Sequence, residues 1–249
     1  MTKGKQKPDH DWRLHATSTL AEPWTSPWTG QRFGVGTRLT VTSIVRYRGK
    51  QTIAIPIPNA TAMFLSLSAR SFSKAKEIIE SDGLPKSIKK ELRFKNDERA
   101  LDYIEDVCAA IVFAYSALEA FANESIPDTY EYKTQRPDKR CLEIYNKEQV
   151  ERNVSLDTKL SVILPEVLSV KSPKGSSRVW DDFKQLGDIR DRIIHMKSGD
   201  RKSSGPDEKT IWNAIFASVS PPHQVAKEIL NFFLKSKEVL PTWLEHAPS

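Results

Sequence analysis

The sequence predicts a mainly α protein: an antiparallel helical bundle preceded by an N-terminal β-hairpin and an irregular arm. Three observations carry that expectation. Apolar residues recur at spacings of three and four after residue 60, an alternating β-branched segment precedes them, and Pro or Gly clusters separate the periodic stretches. The resulting division is an arm over 1–33, a hairpin over 34–58 and a helical region over 60–249.

The arm holds Pro8, Pro23 and Pro27 beside Trp12, Trp24 and Trp28 and shows no period. Mobile arms seldom carry tryptophan, so part of it should pack on the body, with the rings as packing anchors rather than base-stacking platforms. Leu39, Val41, Ser43, Val45 and Tyr47 alternate with Thr40, Thr42, Ile44 and Arg46. Arg48-Gly49-Lys50 then reads as a turn and 52–57 as a second strand, which Pro56 places at an edge.

The first helix spans 60–81 and stops at Asp82-Gly83-Leu84-Pro85. A longer second helix starts at Asn96 or Asp97, either of which can cap it, and Pro127 ends it. Its stripe of Ile104, Cys108, Ile111, Tyr115, Leu118 and Ala122, widened by Val107 and Val112, is a buried face. Residues 127–154 read as an exposed, charged loop with one short helical turn. The third helix, 156–168, follows Ser155 and is interrupted by Pro165. A loop over 171–177 leads to the fourth, 178–197, with Val179, Phe183, Leu186 and Ile193 toward the core and Ser198-Gly199 closing it. A short helix over 211–219 and a last one over 224–240, opened by Pro221, complete the chain.

A chain of 249 residues can bury a sufficient core without staples. Its two cysteines, Cys108 and Cys141, form neither a disulfide framework nor a cysteine zinc module, and Cys108 belongs to the core stripe. The longest apolar stretch, 109–122, is too short to cross a bilayer and contains Glu119. No apolar run follows the N-terminal lysines, so no secretory signal is expected. The expectation is a soluble, cytoplasmic protein with no membrane partner. Lys and Arg number 38 against 32 Asp and Glu, a net charge of +6, which favours polyanions, nucleic acid before membrane surface.

No Walker-type loop, dinucleotide fingerprint or nucleophile elbow occurs, and the five histidines form no H-x-x-x-H pair. No acidic cluster stands at the spacing of a two-metal nuclease, so neither metal nor cofactor is expected. What remains is Asp188-Ile-Arg-Asp-Arg-Ile-Ile-His195 near the end of the fourth helix. Asp191 and His195 share a helical face. Arg190, about 140° around the axis from His195, can flank one groove with it over the helix end. Arginine forks onto phosphate oxygens and histidine titrates near neutral pH, so the pair suits phosphodiester cleavage. The spacing alone decides nothing, because about one such pair arises by chance in a chain of this composition. A solvated face laced by Asp191–His195 and Asp188–Arg192 pairs accounts for it equally.

The earlier helix carries Ser116-Ala-Leu-Glu-Ala-Phe-Ala-Asn-Glu124. With that segment and Arg190-Asp191-x-x-x-His195, the region from about 97 to 240 resembles the HEPN superfamily, small helical bundles many of which are ribonucleases. The resemblance does not reach the arm or the hairpin. It implies metal-free RNA cleavage by a homodimer, with both motif helices lining one cleft. His195 would be general acid or base on the 2′-hydroxyl or the leaving oxygen, and Arg190 would hold the scissile phosphate. Asp191 would orient His195 or position residues of the partner chain. Products would be a 2′,3′-cyclic phosphate (or 3′-phosphate) and a 5′-hydroxyl. A toxin or antiviral-defence role, with an antitoxin or defence-complex partner, is implied on the same ground. So is a non-catalytic HEPN-like module binding a protein or nucleic acid and, last, nucleotide transfer or binding.

Glu119 and Asn123, four residues apart, are supporting candidates that would reach toward the motif helix. Basic groups stand at Arg46, Arg48 and Lys50; at Lys86, Lys89, Lys90, Arg93 and Lys95; at Lys139 and Arg140; and at Lys171, Lys174 and Arg178. The candidates for holding RNA are Lys171, Lys174 and Arg178 before the motif helix, and Arg46 and Arg48 with Tyr47 as a stacking ring. Each basic group is also what an ordinary solvated surface carries.

Overall fold

The computed structural model describes residues 11–15, 17–27, 29–82, 93–135, 140–175, 178–202, 205, 208–217, 220–235 and 241–248. They are mainly helical, with a few short antiparallel strand pairs.

Helices α1 (Ala60–Asp82) and α2 (Asp97–Ser125) pack side by side. Small residues allow it: Ala62, Ser66, Ser68 and Ala69 of α1 and Ala110, Ala114 and Ala117 of α2 are all buried. The Ser68 hydroxyl donates to the Ala110 carbonyl at 2.7 Å, a contact that only a small side chain permits. Polar clamps at the two ends make the pair antiparallel. Asn59, before α1, accepts from the Ala62 N–H and donates to the Glu124 carboxylate at the end of α2. At the other end the fully buried Asp82 carboxylate accepts from the Arg99 guanidinium at 3.0 and 3.1 Å. Those bonds hold the Asp82 carboxyl below the usual carboxylate range. Asn96 caps α2 through the Arg99 N–H, as the sequence predicts.

After α2 come α3 (Lys147–Asn153), α4 (Leu156–Thr158), a π-helical turn (Lys159–Ile163) and α5 (Leu164–Leu168). Then follow α6 (Arg178–Ile194), a 3-10 turn (Ser198–Arg201), α7 (Ile211–Ala217), α8 (Pro222–Leu234) and α9 (Thr242–His246). Helix α2 is the common wall, with α1, α6 and α8 against it. Leu65, Ile111, Leu118, Phe183, Ile229 and Phe233 meet in the core.

The segment 156–168 is one helical run rather than an interrupted one. The π turn shifts the ladder so that the Leu164 N–H reaches the Lys159 carbonyl, and Pro165 then sits in a first turn, where its missing donor costs nothing. The fourth helix ends at Ile194, not at 197, and Ser198 and Gly199 open the 3-10 turn instead of closing α6. The helix expected over 224–240 is α8, 222–234; residues 236–240 lie outside the described residues, and α9, which was not expected, follows. Of the first breaker cluster, Gly83, Leu84 and Pro85 lie outside the described residues, as do Trp28, Lys86, Lys89, Lys90 and Lys139.

Among the described residues, four separate two-stranded antiparallel pairs decorate the helices. Within the arm β2 (Trp24–Thr25) pairs β3 (Arg32–Phe33), and β1 (Thr17–Thr19) of the arm pairs β4 (Arg38–Thr40) of the segment expected to form the hairpin. The arm is therefore not wholly irregular; strands of two or three residues are too short to show a period. The expected hairpin is present as β5 (Thr42–Arg46) and β6 (Thr52–Pro56), but its first strand begins only after Val41. The region taken as a charged loop holds a hairpin of β7 (Glu131–Gln135) and β8 (Leu142–Asn146) followed by α3. Its alternation was present in the sequence, but its inward positions include Thr134 and Glu143 rather than apolar residues alone. Trp12 packs against the core as an anchor, whereas Trp24 stays exposed and stacks on Phe33.

Asn59 joins the arm, α1 and α2, since its N–H also donates to the Arg13 carbonyl. Asn59→Ala removes both the cap and the Glu124 bond, and urea unfolding should show a loss of about 1–2 kcal/mol.

Candidate functional site

The site is built on a seat between α2 and α6. Phe183, Gly187 and Arg190 follow one another at spacings of four and three, so they form one face of α6, and that face rests on Tyr115 of α2. The Tyr115 and Phe183 rings stack with centroids 6.2 Å apart. Gly187 leaves room for the Tyr115 ring: a Cβ there would stand 3.3 Å from Tyr115 Cε2. The Arg190 guanidinium lies 4.6 Å above the same ring, an attraction of about 1 kcal/mol at a half-exposed position. Burial raises the Tyr115 hydroxyl, and the Arg190 charge opposes that rise.

Arg190 is also ion-paired, its Nη1 donating to Asp191 Oδ1 at 2.7 Å. Asp191 is largely exposed, so solvent screens the pair and a stronger anion can displace it. His195 is the first residue beyond α6. Its N–H closes the helix on the Asp191 carbonyl at 2.9 Å, while its imidazole is exposed and makes no side-chain bond among the described residues. The structure therefore joins Arg190 to Asp191 and leaves the His195 imidazole open one turn beyond Asp191; the Asp191 carboxylate is bonded to Arg190 rather than to the imidazole.

Glu119 and Asn123 do not bond to α6 among the described residues. Both turn to Lys159 in the π turn. Lys159 Nζ donates to Asn123 Oδ1 and to the Glu151 carbonyl, each at 2.9 Å, with Glu119 Oε1 at 3.9 Å. The Lys159 side chain is fully buried, and burial lowers its pKa against the pull of Glu119 and Glu151. The sequence reading passed over this lysine, although its place beside Leu156, Leu160 and Ile163 was a signal. A second bridge ties the same run to α6, Lys184 Nζ to Asp157 Oδ2 at 2.6 Å.

The end of α6 is fixed by Asp200, to which the sequence analysis gave no role. Asp200 is buried, and its carboxylate accepts from the Arg192 guanidinium, from the Ile211 N–H at 2.8 Å and from the Lys197 N–H at 3.3 Å. Its carbonyl takes the Trp212 indole N–H at 2.8 Å. One residue thus grips the chain three positions before His195 and two after it. The expected Asp188–Arg192 pair does not form, because the buried Asp200 claims the guanidinium. The Ile211 bond, then the Arg192 charge, holds the Asp200 carboxyl below its ordinary value, against burial.

Lys171 and Lys174 are exposed, and Arg178 pairs loosely with Asp182 at 3.6 Å. Arg178 begins α6 and stands about 18 Å from Arg190 along the axis, so this group and the motif are separate patches. Arg46, Tyr47 and Arg48 are exposed at the β5–β6 tip. Lys95 is engaged with Asp82 and the Ser81 carbonyl. Cys108 is half-buried on the core stripe, and burial raises its thiol. No helix among the described residues is long and apolar enough to cross a membrane.

Comparison with family models, with curated proteins and with solved structures finds no match to this chain. The reading of the site rests on its residues.

Two outcomes test this geometry. Lys159→Ala strips a buried four-carbon stem and strands two acceptors, so urea unfolding should show a loss of about 3 kcal/mol. Asp82 and Asp200 both have folded pKa values below the ordinary 3.8. Their contribution to stability is complete above that value and is lost as pH falls through the lower folded values. Unfolding midpoints followed from about pH 5 to about pH 2 should drop, and less steeply in Asp200→Asn.

Proposed function

We propose that the chain is a metal-independent endoribonuclease of the HEPN type, an antiparallel helical bundle that acts on RNA as a homodimer in the cytoplasm. One observation carries the reading: a guanidinium held over the Tyr115 ring stands five residues from an open imidazole at a helix end. A rigid phosphate fork beside an unencumbered proton carrier is what cleavage of a phosphodiester needs.

In this reaction Arg190 exchanges the exposed Asp191 carboxylate for the non-bridging oxygens of the scissile phosphate, which offer it a bidentate, doubly charge-assisted contact as negative charge grows. His195 takes the proton from the ribose 2′-hydroxyl, the 2′-oxygen attacks phosphorus, and the bond to the 5′-oxygen breaks. The leaving oxygen is protonated by a second imidazole, His195 of the other copy, across the dimer seam. The products are a 2′,3′-cyclic phosphate and a 5′-hydroxyl. Lys171, Lys174 and Arg178 guide the RNA backbone toward α6. Glu119 and Asn123, through Lys159, hold α2 and the π turn in register beside that helix. A role as a toxin or antiviral-defence effector, restrained by an antitoxin or defence-complex partner, fits such an activity.

One observation favours a second reading. Arg190 already has its carboxylate, which suits a non-catalytic HEPN-like module that keeps the fold and binds a protein partner or nucleic acid. Growth separates the two: expression of the wild-type chain slows cells if it cuts RNA, and Arg190→Ala/His195→Ala relieves the slowing.

Purified protein should cut single-stranded RNA in EDTA, and His195→Ala should lower the rate by about a hundredfold or more. Equal rates in the two proteins would take His195 out of the mechanism. Sedimentation at micromolar concentration should show a dimer; a strict monomer would contradict the shared cleft.

A further inference from the structure

Charge is distributed unevenly along this chain. From Pro23 to Lys76 there is no Asp or Glu in 54 residues, which hold eight Lys or Arg. At the chain's mean acidic content about seven carboxylates belong there. The segment's +8 exceeds the net +6 of the whole protein, so the other 195 residues, with 30 Lys or Arg against 32 Asp or Glu, are net −2. The net positive charge of the chain therefore resides in one segment.

That segment contains the β5–β6 hairpin. Its register sets Thr42 against Pro56, Ile44 against Ala54 and Arg46 against Thr52, and all six residues on this face are exposed. The opposite face is partly covered at Ser43 and Val45. A lone hairpin is marginal in water, and among the described residues the backbone bonds that tie this one to the rest of the chain lie at its base. There the Ile57 N–H donates to the Val41 carbonyl, and the His15 N–H to the Ile57 carbonyl. At the tip Arg48 and Gly49 take left-handed backbone angles, and the Arg48 guanidinium lies 5.2 Å over the exposed Tyr47 ring. Arg46, Arg48 and Lys50 pair with no carboxylate among the described residues, whereas Lys159, Lys184, Arg190 and Arg192 around α6 are each engaged.

We propose that the open face and tip of the β5–β6 hairpin form a ribbon that binds single-stranded RNA. Arg46, Arg48 and Lys50 hold phosphates, the Thr42 and Thr52 hydroxyls add neutral contacts to the backbone, and Tyr47 stacks on an unpaired base. The open face carries one large apolar side chain, Ile44, too few to enter a bilayer. A duplex, with its bases paired, gives Tyr47 nothing to stack on. The proposal shares its ligand with the nuclease reading but not its chemistry, so binding persists in a chain that cannot cut.

The test uses full-length His195→Ala protein and a fluorescein-labelled, unstructured RNA of about 20 nucleotides, with anisotropy read from about 50 to about 200 mM KCl. Arg46→Glu/Arg48→Glu/Lys50→Glu should weaken binding by about a hundredfold or more and flatten the log–log salt slope by about two, the loss of three phosphate contacts. Tyr47→Ala should weaken it by about tenfold with the slope unchanged. Circular dichroism and the melting temperature of both variants should match the parent, because the substituted side chains are exposed. Affinity within about twofold of the parent in the charge-reversed variant, or no binding by the parent, overturns the proposal. So does stronger hairpin-dependent binding to duplex RNA or to phosphatidylserine vesicles. An RNA that is bound in this way but never cut by the wild-type chain removes the nuclease reading and leaves this one standing.

Discussion

The Tyr115 ring is the surface on which α6 rests, and the position of the Arg190 guanidinium follows from that contact. Phe183 stacks on the ring, Gly187 lets it come close and Arg190 covers it, so three successive turns of α6 are registered against a single side chain of α2. The guanidinium is thereby localised before any ligand arrives. An arginine on a free surface would give up much of its rotamer entropy on binding a phosphate; one already lying on a ring gives up less.

Two buried charges then fix what the ring cannot. Lys159 draws Asn123 and Glu119 of α2 to the π turn, while Asp200 grips Arg192 and Lys197 on either side of His195. Each stands where a regular helix gives way, the first at a shift of the hydrogen-bond ladder and the second at a helix terminus. Irregular backbone leaves orphan donors and acceptors, and a buried ion with several bonds satisfies them at once. The result is an exposed imidazole on a backbone held from both sides. The carboxylate-free hairpin is the reverse case: among the described residues its cations meet no carboxylate, and its backbone ties to the rest of the chain lie at the base.

The sequence showed clearly what depends on period and little of what depends on burial. The stripe of α2, the face of α6 and the β5–β6 hairpin were legible because their apolar residues repeat at 3.6 or 2. Arg190 and His195 could be named as candidates because their spacing on one helix is local. Tyr115 was read as core alone, since its meeting with Gly187 and Arg190 depends on how two helices cross. Lys159 and Asp200 were passed over because a lysine or an aspartate reads as solvated until its burial is known, even where, as at Lys159, its neighbours are apolar. The β7–β8 hairpin was missed because tyrosines and polar residues, rather than aliphatic ones, carry its alternation.

At the centre of the proposed function stands attack by a ribose 2′-oxygen, started by one imidazole and steadied by one guanidinium. The most direct measurement is the chemistry of the cut ends of a defined RNA in EDTA, compared with the same RNA carrying one 2′-deoxy nucleotide at the scissile position. The account predicts a 2′,3′-cyclic phosphate and a 5′-hydroxyl from the first and no cut at that position in the second. Cleavage beside the deoxy nucleotide, or ends that carry a 5′-phosphate, would contradict it.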